Sequence, residues 1–348
     1  RPLECGGSGT TIRLMSGILA GQPFYSVLAS NAQLGKRPMD RIATPLRRMG
    51  ATVLGRQGGK FTPLTIQGGK LKAITYKPPV ASAQIKSAVL LAGLFADGIT
   101  TVEEMLPTRD HTERMLRAMG AQILTDGTRI SITPRPILAP LTIRIPGDMS
   151  SAAFLLVAAS IVPGSQLLIR RIGINPGRVG ILGALQRMGA DLTLQREGME
   201  NGERVADLQI GYNALNGISI TPEEVPGLID ELPVIAVAAT QANGVTEVRG
   251  AAELRVKETD RIGTTVSELR RMGANIEALP DGFRIMGPTP LHGAQVSSHG
   301  DHRLAMALTV AALVAEGETV IEGIECTRDS FPGFEDTLAQ LLNAEAAA

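Results

Sequence analysis

The chain has 348 residues, more than the roughly 250–300 at which a single hydrophobic core stops growing, so we expect two domains. Lysine plus arginine (34) equals aspartate plus glutamate (34), which argues against nucleic acid as a partner because no overall basic surface is available. The two cysteines, Cys5 and Cys326, lack the spacing of a disulfide framework or a zinc site and indicate a reducing, cytoplasmic location.

The longest apolar runs, residues 152–162 and 304–315, fall short of the ~20 residues that span a bilayer. They predict buried helices and no membrane partner. Residues 1–11 have neither a signal-peptide pattern nor an initiator methionine. We therefore expect the chain to be a fragment of a soluble protein.

Five apolar helices are predicted along the chain, each opened by a small polar residue that can cap it and followed by a glycine and a β-branched strand. Because they are apolar on every side, such helices must be buried, inside a layer of strands. Their predicted first residues are Ser8, Ser82, Ser150, Asp230 and Asp301.

A second motif alternates with these helices. Met-Gly-Ala occurs at Met49, Met119, Met188 and Met272, each time at the end of an amphipathic, arginine-bearing stretch. A glycine there predicts a helix C-cap that leads into a strand. The interval is about 70 residues, except where the polar stretch 196–205 lengthens it, and we predict an elongated hairpin loop there.

The two motifs together predict repeated βαβαββ units in an α/β (α+β) fold. Four full periods and a partial one fit two domains. Pro146-Gly147-Asp148 is the predicted junction, because a Pro-Gly pair interrupts both helix and strand. The predicted domains are residues 1–145 and 146–348.

Helix N-termini present free N–H groups and partial positive charge, so polar residues at these points are candidate anion sites. The first is the loop Gly6–Thr11, which is followed by Arg13. The alternative interpretation of this loop is an ordinary tight turn. Lys36-Arg37-Pro38 is a second candidate or a solvated basic loop. Gln84 is less ordinary, because a cap at Ser82 would not require an amide two residues later.

Later helix starts carry more charge. In residues 108–113, Thr108 or Asp110 is the predicted cap, which leaves Arg109 available for an anion or for a local carboxylate. In residues 255–261, Lys257 and Arg261 have helical i, i+4 spacing, which is unfavourable unless an anion or carboxylate lies between them. A surface network of ion pairs is the alternative.

The remaining candidates are two helix starts. Arg303 directly precedes a buried helix, and Asp230 is either a cap or a base toward a bound hydroxyl. The four histidines lack metal-ligand spacing, so we expect no metal site.

Taken together, these segments resemble the 5-enolpyruvylshikimate-3-phosphate synthase family, most closely its class II, often glyphosate-tolerant, branch. The segments that carry the resemblance are residues 8–13, 36–38, 81–84, 108–113, 255–261 and 301–303.

The resemblance implies a two-domain, inside-out enolpyruvyl transferase fold of six βαβαββ units, of which five are present. It implies a transferase of the shikimate pathway of aromatic amino acid biosynthesis, which moves the enolpyruvyl group of phosphoenolpyruvate to the 5-hydroxyl of shikimate 3-phosphate and releases phosphate. No cofactor is expected, glyphosate is a candidate inhibitor, and the complete protein is expected to be a monomer.

The resemblance also assigns roles to individual residues. Asp230 would take the proton of the attacking hydroxyl, Lys257 would orient that hydroxyl, and Glu258 would act as acid and base at the methylene carbon. The residues that would hold shikimate 3-phosphate are Ser82, Ala83, Gln84, Arg109, Asp230 and Lys257. Those that would hold phosphoenolpyruvate are Gly9, Arg37, Gln84, Arg261 and Arg303.

The sequence departs from the family at several points. Gly7 stands where the family usually has Asn, and Gly35 stands where an Arg is common. Asp329 lies where some members carry a Lys. The family's opening Pro-Gly-Asp-Lys-Ser motif has no counterpart, and its internal echo at residues 146–150 has Met149 in place of the catalytic lysine. We therefore expect ~80 N-terminal residues, one unit of six, to be missing and little or no turnover without them.

Two alternatives remain open. UDP-N-acetylglucosamine enolpyruvyl transferase has the same fold, but Ala32 stands where that enzyme carries a reactive cysteine. The other alternative is a catalytically incompetent fragment, or one half of a split protein that needs its N-terminal segment.

Overall fold

The computed structural model describes residues 1–344, which divide into two compact units. The first unit comprises residues 1–143 and the turn 201–203, and the second comprises residues 144–200 and 204 onward. Each unit has its own hydrophobic core. Among the described residues, no helix is long and apolar enough to cross a membrane. The proposed domain boundary at residue 146 stays a prediction.

The first unit begins with a strand–helix–strand–helix–hairpin sequence that then repeats. Its helices are α1 (Gly9–Ala20), α2 (Asp40–Arg48), the short turn α3 (Arg56–Gly59), α4 (Ala83–Gly93) and α5 (His111–Ala118). Its strands are β1 (Leu3–Glu4), β2 (Tyr25–Ala29), β3 (Thr52–Gly55), β4 (Phe61–Gln67), β5 (Thr75–Tyr76), β6 (Thr100–Glu103), β7 (Ile123–Asp126) and β8 (Arg129–Ile132).

The second unit continues the pattern. Its helices are α6 (Met149–Ile161), α7 (Gly180–Arg187), α8 (Leu232–Thr240), α9 (Arg261–Arg271), α10 (His302–Ala312) and α11 (Phe334–Asn343). Its strands are β9 (Gln166–Gly173), β10 (Asp191–Glu200), β11 (Glu203–Gly211), β12 (Ser219–Ile220), β13 (Gly244–Val248), β14 (Ile276–Leu279), β15 (Gly282–Gly287), β16 (Leu291–His292), β17 (Gln295–Ser297), β18 (Ala315–Glu316) and β19 (Val320–Glu322). Short 3-10 segments cover Leu34–Lys36, Val225–Gly227, Ala252–Val256 and Ile324–Asp329.

The sheets confirm the predicted repeat. Three four-stranded sheets have the orders β1-β2-β4-β3, β5-β6-β8-β7 and β12-β13-β15-β14, each with one parallel pair followed by an antiparallel hairpin. The sheet β9-β11-β10 follows the same scheme, with a parallel bridge from Gly147 to Ile172 in place of the first strand. In the fifth copy β17 pairs with β19 in parallel, and no hairpin follows within residues 1–344.

The amphipathic helices end as predicted. α2, α5, α7 and α9 have Met49, Met119, Met188 and Met272 as their C-caps. In all four the following glycine has a positive φ, from 90° at Gly189 to 104° at Gly50. Only glycine adopts this conformation without steric cost, so the repeated Met-Gly pair follows from the geometry of the helix end.

The apolar helices are buried as predicted, but two of their caps were assigned wrongly. Ser8, Ser82 and Asp301 each cap a helix through the side chain. α6 is capped by Asp148, whose carboxylate accepts from the Ser151 N–H, and Ser150 lies inside the helix. α8 begins after Glu231, which takes the N-cap position predicted for Asp230 and makes no capping hydrogen bond with its side chain.

The predicted hairpin at residues 196–205 is confirmed, but the prediction of an elongated loop within it is wrong. β10 and β11 run through nearly all of it and are joined by Asn201-Gly202, which have φ values of 50° and 84°. Two successive positive φ values match the twist of a two-residue hairpin turn, for which Asn-Gly is the favoured pair. Most of the polar residues belong to β10, which is largely exposed, whereas β11 is largely buried.

Helices α1 and α4 pack so closely that their backbones touch. A Cβ atom built on Gly17 of α1 would overlap the carbonyl oxygen of Ala88 in α4. The N-termini of the two helices therefore lie beside each other, and the first candidate site is built on them.

Candidate functional site

The N-termini of α1 and α4 are joined by side chains from both helices. The guanidinium of Arg13 donates to Gln84 Oε1, and Gln84 Nε2 donates to Thr10 Oγ1 at 2.9 Å. Arg13 also donates from Nη2 to the carbonyl of Pro38 at 3.2 Å. Gly9, Arg13, Arg37 and Gln84 are named the first cluster, because this network brings the 37–38 loop to the two helix ends.

The other residues predicted in this unit lie on the same elements. Ser82 caps α4 and accepts from the Ile85 N–H at 3.5 Å, Ala83 is the first helical residue, and both are half-buried. Arg37 ends a 3-10 segment and Arg109 lies on the loop before α5, and both are also half-buried. Of the two predicted caps of α5, Asp110 occupies the N-cap position but makes no capping hydrogen bond with its side chain, and Thr108 donates its hydroxyl to Glu104.

A buried lysine, absent from the sequence predictions, links α4 to the Arg109 loop. Lys86 is 1% exposed, and its Nζ lies 3.0 Å from Glu104 and 2.8 Å from Glu113. It also donates to the carbonyl of Thr108 at 3.3 Å. Burial raises the pKa of Glu113 above its ordinary value, although Lys86 opposes this. The ion pairs fix the loop relative to the start of α4.

In the second unit, a carboxylate lies between two cations. Asp230 Oδ1 is 3.5 Å from Lys257 Nζ and 3.5 Å from Arg261 Nη1. This is the carboxylate that the spacing of Lys257 and Arg261 required. The prediction that Lys257 and Arg261 lie on one helix is wrong, since Lys257 follows a 3-10 segment and α9 begins at Arg261.

Arg261 is the centre of this group and is 2% exposed. Its Nε and Nη2 donate to the two oxygens of Asp301 at 2.7 and 3.1 Å, and Nη2 also lies 2.7 Å from Glu258. Burial disfavours the charged form of Asp301, but Arg261 outweighs this and holds the pKa of Asp301 below its ordinary value. Arg261 Nη1 has no hydrogen-bond partner among the described residues.

Arg303 completes the group. Its Nη1 donates to the carbonyl of Asp230 at 3.3 Å and lies 3.8 Å from Glu231. Asp230, Lys257, Glu258, Arg261 and Arg303 are named the second cluster. The sequence predicted all five residues, and the contacts bring them together.

Glu231 is a second residue whose importance the sequence did not reveal. It accepts a hydrogen bond from the Ser150 hydroxyl, which in turn accepts from Arg178 Nη2 at 2.6 Å. Burial raises the pKa of Glu231 above its ordinary value, against the opposing effect of Arg303. The sequence shows Glu231 as a second acidic residue beside Asp230. It does not show the role of Glu231, because the partners of this side chain lie far away along the chain.

The comparisons with known proteins concern nearly the whole chain. The family model described as EPSP synthase (3-phosphoshikimate 1-carboxyvinyltransferase) matches residues 1–338. A 3-phosphoshikimate 1-carboxyvinyltransferase from Brevibacillus brevis is 53% identical over 97% of the chain and 80% of its own length. One from Pelotomaculum thermopropionicum is 51% identical over 98% of the chain and 79% of its own length.

Solved structures match the same range. An EPSP synthase from Acinetobacter baumannii superposes with a TM-score of 0.88 at 44% identity, covering 98% of this chain and 78% of that one. The enolpyruvyl transferase NikO from Streptomyces tendae gives a TM-score of 0.73 at 17% identity, covering 98% and 94% of the two chains. This second match concerns the fold alone. The predicted enolpyruvyl transferase fold is confirmed.

Proposed function

Because the chain belongs to the EPSP synthase family, the 3-phosphoshikimate 1-carboxyvinyltransferases, we propose that its two clusters bind and activate the two substrates of that reaction. The reaction transfers the enolpyruvyl (carboxyvinyl) group of phosphoenolpyruvate to the 5-hydroxyl of shikimate 3-phosphate and releases phosphate. One observation carries the residue assignment: Asp230 is held between Lys257 and Arg261, beside Arg303.

Phosphoenolpyruvate is assigned to Arg261, Arg303, Arg37, Gly9 and Gln84. Arginine suits this anion, because its planar donors match phosphate and carboxylate oxygens in pairs. Arg261 Nη1 supports the assignment, since it is buried and makes no hydrogen bond among the described residues, with only an ion-pair contact to Asp230 at 3.5 Å, and a ligand oxygen would supply the missing acceptor. Gly9 is buried at the start of α1, and its missing side chain leaves room for the Arg13 guanidinium that donates to Gln84.

Shikimate 3-phosphate is assigned to Ser82, Ala83, Gln84 and Arg109, together with Asp230 and Lys257. The start of α4 offers free N–H groups to the phosphate. The Lys86 ion pairs support the role of Arg109, because they hold its loop against α4.

The proposed chemistry is an addition followed by an elimination. Asp230 accepts the proton of the 5-hydroxyl as its oxygen forms a bond to C2 of phosphoenolpyruvate, and Lys257 orients that hydroxyl. Glu258 gives a proton to the methylene carbon in the addition. In the elimination it takes a proton back from the methyl group, while the C2–O bond to phosphate breaks and phosphate leaves.

The experiment is Asp230→Asn, with the exposed Asp336→Asn in α11 as matched control. Phosphate release from the two substrates is measured for the chain alone and with an added N-terminal segment that carries the family's Pro-Gly-Asp-Lys-Ser motif. We expect Asp230→Asn to lower kcat about 100-fold or more, with both substrate affinities within about tenfold, because proton transfer is lost and binding is kept.

Near-normal turnover by Asp230→Asn would remove this residue from the role of base. Absence of turnover by the unaltered chain in both arms would contradict the catalytic assignment and favour an incompetent fragment.

A further inference from the structure

A cleft of about 490 Å³ lies in the second unit, and none of its lining residues belongs to the second cluster. Its charged lining consists of four arginines and two carboxylates. These are Arg144, Arg170, Arg171, Arg196, Glu200 and Asp207. The charges on these six side chains therefore sum to a positive excess.

The arginines are placed by an irregularity in the sheet. Ala206 pairs with Ile172 and Leu208 with Ile169, so Asp207 of β11 stands opposite both Arg170 and Arg171 of β9. A bulge of this kind re-aims side chains and often lies beside a binding site. Here it places two consecutive arginines in the lining of one cleft.

Two of the arginines have a backbone conformation that is unfavourable for any residue with a side chain. Arg171 has a φ of 55° and Arg196 a φ of 50°. Glycine would adopt these angles freely. Left-handed positions filled by side-chain-bearing residues tend to occur at functional sites, because the surrounding structure must hold them there.

The carboxylates engage only part of this positive charge. Buried Asp207 accepts from the backbone N–H of Arg171 at 2.8 Å and lies 3.7 Å from Arg196, while Glu200 pairs with the Arg171 guanidinium. Among the described residues, no carboxylate lies within ion-pair distance of the Arg144 or Arg170 guanidinium, although the charge of Arg144 helps Arg171 to hold the pKa of Glu200 below its ordinary value. An ordinary surface network of ion pairs would balance its charges and would not require strained backbone.

We propose that this cleft binds a small multivalent anion that carries a phosphate group. Its volume falls within the range of small-molecule sites. Separated arginines around a cleft suit phosphate oxygens, which accept paired N–H donors. A long nucleic acid is disfavoured, since the chain has no net charge to attract one. This site is independent of the substrate assignments made above.

The test is a calorimetric titration of the chain with pyrophosphate in low salt. The cleft variant is Arg144→Gln/Arg170→Gln, which removes two of the four lining guanidiniums and leaves the Arg171–Glu200 ion pair in place. Its matched control is Arg284→Gln, an exposed arginine on β15 of the same unit. A third variant, Arg303→Gln, reports binding at the second cluster instead.

We expect the double variant to weaken pyrophosphate binding at the cleft about tenfold, through loss of charge-assisted hydrogen bonds. Arg284→Gln should bind like the unaltered chain, and Arg303→Gln should lose only binding at the second cluster and retain binding at the cleft. If the double variant binds like the unaltered chain, or if Arg303→Gln alone abolishes binding, the proposal is wrong. A mixed-sequence single-stranded DNA that binds more tightly than pyrophosphate would also overturn the choice of ligand.

Arg196→Gly separates binding from folding. Glycine relieves the left-handed backbone, so this variant is expected to unfold at the same or a higher urea concentration while binding pyrophosphate severalfold more weakly. If Arg196→Gly weakens folding and leaves pyrophosphate affinity unchanged, Arg196 has a structural role and the proposal fails.

Discussion

Each of the two units buries a cation among carboxylates, but the two networks differ in what they contain. In the first unit, Lys86 pairs with Glu104 and Glu113, none of which is a proposed substrate ligand. In the second, Arg261 pairs with Glu258, Asp230 and Asp301, and three of these four residues belong to the proposed site. The lysine network supports a site, whereas the arginine network is part of one.

The chemistry of the two cations fits this difference. An ammonium group is a compact charge that satisfies carboxylates in several directions, which suits a support between a helix and a loop. A guanidinium holds carboxylates in fixed geometry through several N–H donors, and Arg261 binds Asp301 and Glu258 in this way while its Nη1, 3.5 Å from Asp230, makes no hydrogen bond among the described residues. We therefore expect substitutions in the arginine network of the second unit to remove substrate contacts directly. Substitutions in the lysine network of the first unit should weaken binding by displacing the Arg109 loop.

Arg261→Leu is expected to have the largest effect. It leaves fully buried Asp301 without its cation, which costs about 3–5 kcal/mol of unfolding free energy. Phosphoenolpyruvate binding should be lost as well. Urea unfolding and a phosphoenolpyruvate titration measure the two effects.

Arg261→Lys is the matched control, because it keeps the charge and loses the paired donors. It should be more stable than Arg261→Leu and still bind phosphoenolpyruvate poorly. Normal binding by this variant would show that the guanidinium geometry is unimportant.

Lys86→Met is expected to lower the free energy of unfolding by about 3 kcal/mol, somewhat less than Arg261→Leu. The loss is smaller because Glu113 already has a raised pKa and can take up a proton when the lysine is absent. The double variant Lys86→Met/Glu113→Gln should recover part of the loss. Affinity for shikimate 3-phosphate should fall more than affinity for phosphoenolpyruvate, since the Arg109 loop is released. Equal losses for both substrates would contradict a positioning role.

Gly9→Ala is expected to act mainly on binding. The new Cβ would lie 2.9 Å from Arg13 Nη1, and that flexible guanidinium must shift away from Gln84. Phosphoenolpyruvate affinity should fall severalfold, while unfolding free energy changes by about 1 kcal/mol or less. Gly183→Ala in α7, where a Cβ meets no atom within 4 Å, is the control and should leave affinity unchanged.

Glu231→Gln is expected to have the smallest effect at neutral pH and a clear effect on pH dependence. The raised pKa means that folded Glu231 holds its proton more tightly than the unfolded chain does. Unfolding free energy should therefore fall as pH rises above the ordinary value of 4.5 toward the native pKa.

Urea unfolding as a function of pH measures this slope, which Glu231→Gln should remove and the exposed Glu318→Gln should retain. A slope that persists in Glu231→Gln would assign it to other groups.

The repeat could be predicted because its signals are local. A Met-Gly pair at a helix end and an apolar run opened by a polar residue each depend on neighbouring residues, and they located the buried helices and all four amphipathic ones. Caps were less certain, because Asp148 and Ser150, or Asp230 and Glu231, offer competing acceptors within a few residues.

The supporting groups could not be predicted, because their partners are distant in sequence. Lys86 meets Glu104 and Glu113 only after α4, β6 and α5 have packed, and Glu231 meets Ser150 across 81 positions of the chain. The long strands and short turn of the hairpin β10–β11 were missed for a different reason. Its composition is that of a loop, while its strand pairing and its Asn-Gly turn determine its structure.

The contact between Gly17 and Ala88 has a mechanical consequence. If α1 slid along α4 by one residue, Ser16 or Ile18 would be driven toward the Ala88 carbonyl, so the two helices are expected to move together as one stiff element. Thermal motion would then carry Gly9 and Gln84 as a pair. A substrate that reaches both residues would find their spacing already set when the chain folds, with little ordering left for the moment of binding.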